Sequence, residues 1–488
     1  MSRAEEILAR LRRLRELDAP THGGRVLSYV YDSGDTELDA LAGAAAEIAR
    51  PLNGLDPTAF PSIARMERDL LTFMRSALRG GRDVVGSVTS GGTESCLLAV
   101  KTARDLWRDA RPGTVERPRL VAPETVHAAF RKAAQLFDLE WSPVPCQPDG
   151  SVRPDRMISA LGDDVALVVV SAPAYPSGSL DPVAPVAAAA QRLGIACHVD
   201  ACFGGLVLPW WPDVPDWDFR VPGVTSISAD LHKFGYAPKG VSVLLHRGRR
   251  RHRRQFFATA RWPGYPVVNP TLLGSKSASP LAAAWAIAEH LGADGYAELT
   301  ARTARSTAAL LATVAGIRGL RVWGSPTGPA FAAIADDSVP AADRVDPHRL
   351  ADRIAQRGFR LQHQPGFVQV DGTRLPASVH VTVTPVTESR LEELQLALTE
   401  AADHVRGRRP VSAALPAAAM KMLGYSGQRV PGPRAAWLLL RLAGAGGIAR
   451  GEGTGGDMAG LMALIERLPG PLAESLLVEL LARASEPG

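Results

Sequence analysis

Across residues 84–245 the sequence alternates short apolar runs with amphipathic ones, and glycine-bearing turns separate them. Val84–Thr89 reads as a strand, Ser90-Gly91-Gly92-Thr93 as a tight turn, and residues 94–107 as a helix. The rhythm then returns with variation. Apolar Leu120 and Val121 precede a helix over 127–137, a continuous β-branched run over Val165–Ser171 precedes a helix over Val183–Leu193, and a short apolar run covers 195–199. Strands that are apolar at nearly every position have no face for solvent, so helices must cover both sides. The class this dictates is α/β, built on a largely parallel sheet.

The flanking segments carry other patterns. Ile7, Leu8, Leu11, Leu14 and Leu17 recur at helical spacing among Arg and Glu. That is an amphipathic helix whose stripe needs a surface, on its own body or on a second subunit. Helical patterns at 34–48 and 63–78 flank a loop at 53–61. After long helical patterns at 279–291 and 296–314, a second strand–helix rhythm runs through 330–334, 347–357, 379–383 and 390–405. The expected division is a helical and loop segment at 1–60, a large domain at 61–299, a smaller α/β domain at 300–410, and a Gly/Pro-rich linker with a helical tail at 411–488. Within that last part, 410–433 reads as linker, 444–456 as glycine-dense chain, and 458–468 and 472–481 as short amphipathic stretches.

Composition excludes several classes. A chain of 488 residues with 46% hydrophobic and 22% charged residues is ordinary globular material with room for two cores. A net charge of +5 gives no mandate for nucleic acid. The one basic run, residues 247–254, lacks interleaved aromatics and reads as a solvated loop. No stretch approaches the ~20 apolar residues of a membrane span, and residues 1–18 lack a signal-peptide core. The expectation is a cytoplasmic protein without integral membrane association. Cys96, Cys146, Cys197 and Cys202 have apolar neighbours and no CxxC spacing, which fits buried thiols in a reducing compartment, with no disulfide framework and no metal.

Four sites carry chemistry. Residues 226–240 open as a strand, turn through Asp230-Leu231-His232-Lys233, and leave through Gly235 and Pro238 toward a second strand at 241–245. A lysine fixed between buried strands is expected to have a lowered pKa and a nucleophilic amine, as Schiff-base chemistry requires. Ser90-Gly91-Gly92-Thr93-Glu94-Ser95 joins a strand to a helix start, a cradle for an anion in form but neither a P-loop nor a dinucleotide fingerprint. His127, just past a strand end, can lie flat over a planar ring, or can cap its helix. Asp200 ends a strand where open α/β sheets bind ligands; it can hold a pyridine nitrogen protonated, or cap the next element. A ligand with a phosphate, an aromatic ring, a basic ring nitrogen and an aldehyde would use all four, and pyridoxal 5′-phosphate has all four.

These motifs, with Pro123-Glu124-Thr125-Val126-His127 and His198-Val199-Asp200-Ala201-Cys202-Phe203-Gly204-Gly205, resemble those of the group II pyridoxal-phosphate decarboxylase superfamily. Within it they are most similar to the sphingosine-1-phosphate lyases, over about residues 25–406. The resemblance implies fold-type I architecture, a sheet of the seven-stranded type, and a homodimer with a shared active site. It implies that Lys233 carries the cofactor's aldehyde, Asp200 its ring nitrogen and His127 its ring face. Gly91, Gly92, Thr93, Asp230 and His232 would complete the cofactor site, with Gly274 and Ser275 lent by the second subunit. Lys239 would meet a substrate phosphate and Tyr31 the reacting carbon, while Asn53, Asp56, Tyr175, Ser177 and Tyr236 would line the substrate side. The chain departs from the lyases at Asn53-Gly54-Leu55-Asp56-Pro57, where they carry a histidine at the fourth position, and at Pro173-Ala174-Tyr175-Pro176-Ser177-Gly178, where they carry an asparagine and a second tyrosine. Lys276 stands where they carry an arginine.

The activity implied is cleavage of the Cα–Cβ bond of a phosphorylated β-hydroxy amine to an aldehyde and an amine. The altered wall leaves an amino-acid decarboxylase as the alternative, and a non-catalytic homologue as a third. In either catalytic case the partner is a small-molecule amine or amino acid, without nucleic acid.

Overall fold

The computed structural model describes residues 2–426, 428–442 and 458–486. Helices α1 (Arg3–Arg15), α2 (Thr36–Ala49) and α3 (Pro61–Ala77) lead into β1 (Val84–Thr89), α4 (Gly92–Asp109), β2 (Arg119–Pro123), α5 (Ala129–Phe137) and β3 (Glu140–Val144). Then come α6 (Pro154–Ser159), β4 (Val165–Ser171), α7 (Val183–Leu193), β5 (Ala196–Asp200), β6 (Ser226–Ala229) and β7 (Ser242–Arg247).

These seven strands form one sheet in the order β1-β7-β6-β5-β4-β2-β3. Neighbours from β6 through β3 are parallel, and β7 alone runs against its neighbours β1 and β6. The reason is visible in β4, where every residue is buried. Val168 and Val170 enter one core cluster, and Ala166 and Val169 enter the cluster on the other face. A strand with two apolar faces is stable only between two helical layers.

The chain continues through α8 (Arg249–Gln255), β8 (Phe257–Thr259), β9 (Val267–Asn269) and α9 (Ser279–Gly316). The two helical patterns expected at 279–314 are one run, broken at Gly292 with φ 54° and ψ −166°. It crosses the boundary expected at 299 and connects to a second core. There β10 (Leu320–Val322), β11 (Ala330–Ala335), β12 (Gln362–Gln364) and β15 (Ser378–Thr382) make an antiparallel sheet in the order β10-β11-β15-β12. Helices α10 (Pro347–Ala355) and α11 (Leu391–Val405) cover it, and β13 (Phe367–Val368) pairs with β14 (Arg374–Leu375) as a hairpin between β12 and β15.

Three expectations change. The basic run is not a solvated loop: residues 249–255 are the helix α8, and Arg251 is only part-exposed. The stripe of α1 does not pack on its own body, since no residue of α1 is buried. The segment at 410–433 contains a helix, α12 (Ala414–Met422), because its run of Ala, Leu, Met and Lys has high helix propensity. The glycine-dense stretch at 444–456 lies outside the described residues.

The tail helices α13 (Pro433–Leu442), α14 (Met458–Ile465) and α15 (Gly470–Ser485) share an apolar cluster with α12. They also grip the smaller sheet. Glu466 accepts from Gly366 N at 3.0 Å and pairs with Arg374 at 3.2 Å, and Asp352 accepts from Ala459 N at 3.1 Å. Among the described residues no helix is long and apolar enough to cross a membrane.

Candidate active site

β1, β2, β5 and β6 all finish on one edge of the sheet, and each leads into a candidate site residue there. After β1 the chain turns through Gly91 into α4, which begins at Gly92 without a side-chain cap. Its first N–H groups and the positive end of its dipole are therefore available to an anion. A Cβ on Gly92 would lie 2.7 Å from an Asp230 carboxylate oxygen and 2.8 Å from Cys202 Sγ, so no larger residue fits. Glu94, buried in the first turn, accepts from Ser90 N at 2.6 Å and Ser90 Oγ at 2.8 Å with one oxygen. Its other oxygen accepts from Leu272 N at 2.6 Å. Glu94 thus fastens the cradle to the segment that leads to Gly274 and Ser275, a role not assigned to it from sequence. An acid in the first helical turn, four residues past a serine, was the available signal.

Lys233 stands one turn beyond β6. Its Nζ lies 3.0 Å from Asp230 Oδ2, and His232 Nε2 is 3.4 Å from the same oxygen. Burial alone would push the lysine down, as expected from sequence. Burial is the largest single influence, but the surrounding acids, Asp230 first and Asp200 with it, act together against it, and the ammonium is held well above its ordinary value. The expected lowering therefore fails, because the sequence argument counted burial and not the carboxylate three residues earlier. Burial would raise Asp230 in turn, but Lys233 and His232 hold its carboxyl well below the usual range. Its second oxygen, Oδ1, is buried without a hydrogen-bond partner.

Asp200 closes β5 and is buried. Its Oδ1 accepts from Cys202 N at 3.1 Å and from Ser228 Oγ at 3.4 Å. Its Oδ2 takes no hydrogen bond from any described residue. Cys96 and Cys202 bring their sulfurs within 4.8 Å of this carboxylate. Burial pushes the Cys96 thiol up, and the bond to Cys96 together with burial holds Cys202 well above the thiol range, so both stay protonated. His127 is exposed, with Nδ1 accepting from Ala129 N at 3.2 Å, which leaves its ring face open.

The substrate side is mostly aromatic. Tyr31 meets Phe234 at 5.3 Å and Phe203 at 6.2 Å, both edge-on. Burial pushes the Tyr31 hydroxyl up to about 12, so it stays protonated. Lys239 Nζ sits 4.6 Å above the Tyr31 ring and donates to the His232 carbonyl at 2.7 Å. Tyr175 stacks on His380 at 4.2 Å and donates to Gln362 Oε1 at 2.6 Å. Gln362 belongs to the smaller sheet, and no sequence signal marked it.

Other candidates stand elsewhere. Tyr236 stacks on Tyr296 at 6.3 Å, and Ser177 is fully buried with its hydroxyl accepting from Ser179 N at 3.2 Å. Asn53 donates to Ser275 Oγ at 3.1 Å, and Asp56 Oδ1 accepts from Thr58 N at 2.8 Å. Asn53, Ser275 and Lys276 thereby form their own cluster, joined to the cradle through Glu94.

The residues present fit pyridoxal phosphate. A glycine gap opens at a helix start, a lysine meets the same Asp230 oxygen that faces the gap, a buried carboxylate keeps one oxygen open, and an imidazole face is free. A family model described as the pyridoxal-dependent decarboxylase conserved domain matches residues 29–315. Sphingosine-1-phosphate lyase 1 of Mus musculus is 34% identical over 386 residues, covering 78% of this chain and 64% of its own length. Sphingosine-1-phosphate lyase of Dictyostelium discoideum is 34% identical over 385 residues, covering 78% of this chain and 69% of its own. The chain thus spans about two thirds of the curated relatives' length. The solved structure of the Burkholderia pseudomallei sphingosine-1-phosphate lyase superposes with a TM-score of 0.76 at 34% identity, covering 87% of this chain and 95% of that one. The architecture is fold-type I.

Gly92→Ala should lower the melting temperature of the cofactor-free protein, because its Cβ would press on the buried Asp230 carboxylate and Cys202 sulfur. It should weaken retention of pyridoxal phosphate, read from the bound cofactor's absorbance, by about ten-fold or more. Unchanged affinity would show that the gap at Gly92 is not part of the cradle.

Proposed function

The chain belongs to the pyridoxal-dependent decarboxylase family, and on that premise we propose that it is a carbon–carbon lyase acting on a phosphorylated β-hydroxy amine. The observation that carries this reading is the second cation of the site, Lys239, set over Tyr31 and against the backbone of His232. A lysine there suits a substrate that brings its own phosphate.

In this reading Lys233 holds the cofactor's aldehyde, Asp200 its ring nitrogen, His127 its ring face, and Gly91, Gly92, Thr93 and His232 its phosphate. When bound, pyridoxal phosphate takes up the electron pair left as a bond to the amine-bearing carbon breaks. The chain supplies the rest. Lys239 fixes the substrate phosphate and so sets which bond faces the reactive edge. Lys233, a neutral amine once the substrate has displaced it from the cofactor's aldehyde, would take the proton that leaves the β-hydroxyl as the aldehyde departs, and Tyr31, protonated at neutral pH, would give one to the amine-bearing carbon and regain it from Lys233. Phe203, Phe234 and Tyr175 keep water from that carbon.

We place the enzyme in the cytoplasm as a homodimer with a shared site. The four cysteines are free and buried, which suits a reducing compartment. Phe257, Val268 and Leu272, on the arm that leads to Ser275, are exposed apolar side chains that a second subunit would cover. We keep the division into a large domain reaching about residue 299 and a smaller one at 300–410, the second cluster of buried residues being drawn almost wholly from the latter.

Cofactor-loaded enzyme should release an aldehyde from a phosphorylated long-chain β-hydroxy amine and no carbon dioxide from a panel of amino acids. Carbon dioxide release would make it a decarboxylase, and neither product would remove the enzymatic reading. The pH dependence is a separate check. Burial and the nearby Lys233 charge lower Lys239 to about 8, so its charge is present below that pH and lost above it. The KM for a phosphorylated amine should rise as pH passes about 8, by about ten-fold at full deprotonation. Lys239→Arg should abolish that rise. A flat wild-type KM across this range would remove Lys239 from the substrate's phosphate.

A further inference from the structure

The basic run has a place in the fold that the proposed chemistry does not use. A cavity of about 330 Å³ opens between α4, α8 and the starting ends of β4 and β5. Ala196, where β5 begins, lines it, whereas Asp200 ends the same strand on the opposite edge of the sheet. The cavity is therefore separate from the candidate active site.

Four arginines line it, and no carboxylate does. Two are fixed by backbone. Arg111 donates to the Asp163 carbonyl at 2.7 Å while lying 4.5 Å over the Trp107 ring, and Arg247 donates to the carbonyls of Phe219 at 2.7 Å and Val224 at 3.0 Å. The side chains of the other two, Arg250 and Arg251, make no hydrogen bond or ion pair with any described residue. Arg251 Nε is buried without an acceptor and closed off from the cavity as well, so the end of the guanidinium fork is what this residue can offer a ligand. A buried guanidinium N–H with no acceptor is an unmet demand, and buried polar groups are almost always satisfied. Elsewhere on the same helix Arg254 is paired with Asp109, so lack of a partner is not a general feature of α8. The floor is apolar, from Leu106, Trp107 and Ala166. Its volume is at the lower end of small-ligand pockets.

We propose that this cavity binds a small phosphate monoester, its phosphate held by the guanidinium groups of Arg250 and Arg251 and its carbon portion lying on the Trp107 floor. Arginine forks match phosphate oxygens geometrically, and the lining offers positive charge without a competing acid. A concave cavity with an apolar floor suits a small molecule. A nucleic-acid backbone would need charges spread along a face.

The test is calorimetric titration of the cofactor-loaded full chain carrying Lys239→Ala, which silences the phosphate contact of the candidate active site. The probes are inorganic phosphate and glycerol 3-phosphate. One saturable site per chain is expected, with glycerol 3-phosphate the tighter ligand. Adding Arg250→Gln or Arg251→Gln should weaken it by about ten-fold each, and adding Arg254→Gln should not. Absence of saturable binding would overturn the proposal. So would equal losses in all three variants, or binding of duplex DNA in place of either probe. If Arg251→Gln fails to fold, Arg250→Gln at the exposed neighbouring position decides the matter alone.

Discussion

The contact between Lys233 and Asp230 governs the site. A carboxylate that is 3% exposed and an ammonium 3.0 Å away must be held together in a region where each alone would be strongly disfavoured. Their position follows from the sheet. β6 lies between β5 and β7 near the middle of seven strands, so the turn that carries both residues starts from rigid backbone. The narrowness of the cradle follows from the pair, because Asp230 is what a Cβ on Gly92 would strike. Asp230 therefore does two things. It holds the amine charged and in place, and it sets the size of the opening at the start of α4.

Around that pair the proposed substrate side is built from both cores. Tyr31 comes from the segment before α2, Phe203 and Phe234 from the large sheet's loops, and Gln362 from the smaller sheet. The strand that carries Gln362 is followed by a hairpin whose Gln369 bridges both backbone groups of Cys146, while Val370 N donates to Glu124 three residues before His127. Glu466 of the tail holds the other end of the same hairpin. The tail thus bears on the site through packing and hydrogen bonds, without entering it.

Much of this was legible in the sequence where a local pattern has one physical outcome. Six consecutive apolar residues at 165–170 have no solution but a strand covered on both faces, and Asp200 after such a strand has nowhere to sit but the ligand edge. What was not legible depends on residues distant in the chain. The raised state of Lys233 depends on the Asp200 carboxylate, far off in the chain, as well as on that of Asp230, while burial alone points the other way. Tyr175 was expected on the substrate side, and its orientation is set by Gln362 and His380 from the smaller sheet. The arginine run could be seen but not located. Its helix turns Arg254 toward Asp109 and Arg251 inward, a difference invisible in a string of like charges.

All of these features serve one covalent assignment, that of pyridoxal phosphate to the amine of residue 233. Reduction of the cofactor-loaded protein with borohydride, followed by peptide mapping, measures it directly. The account predicts a single pyridoxyl group on the peptide containing Lys233. A tag on another lysine, or none in protein that has been fully reconstituted, would contradict it.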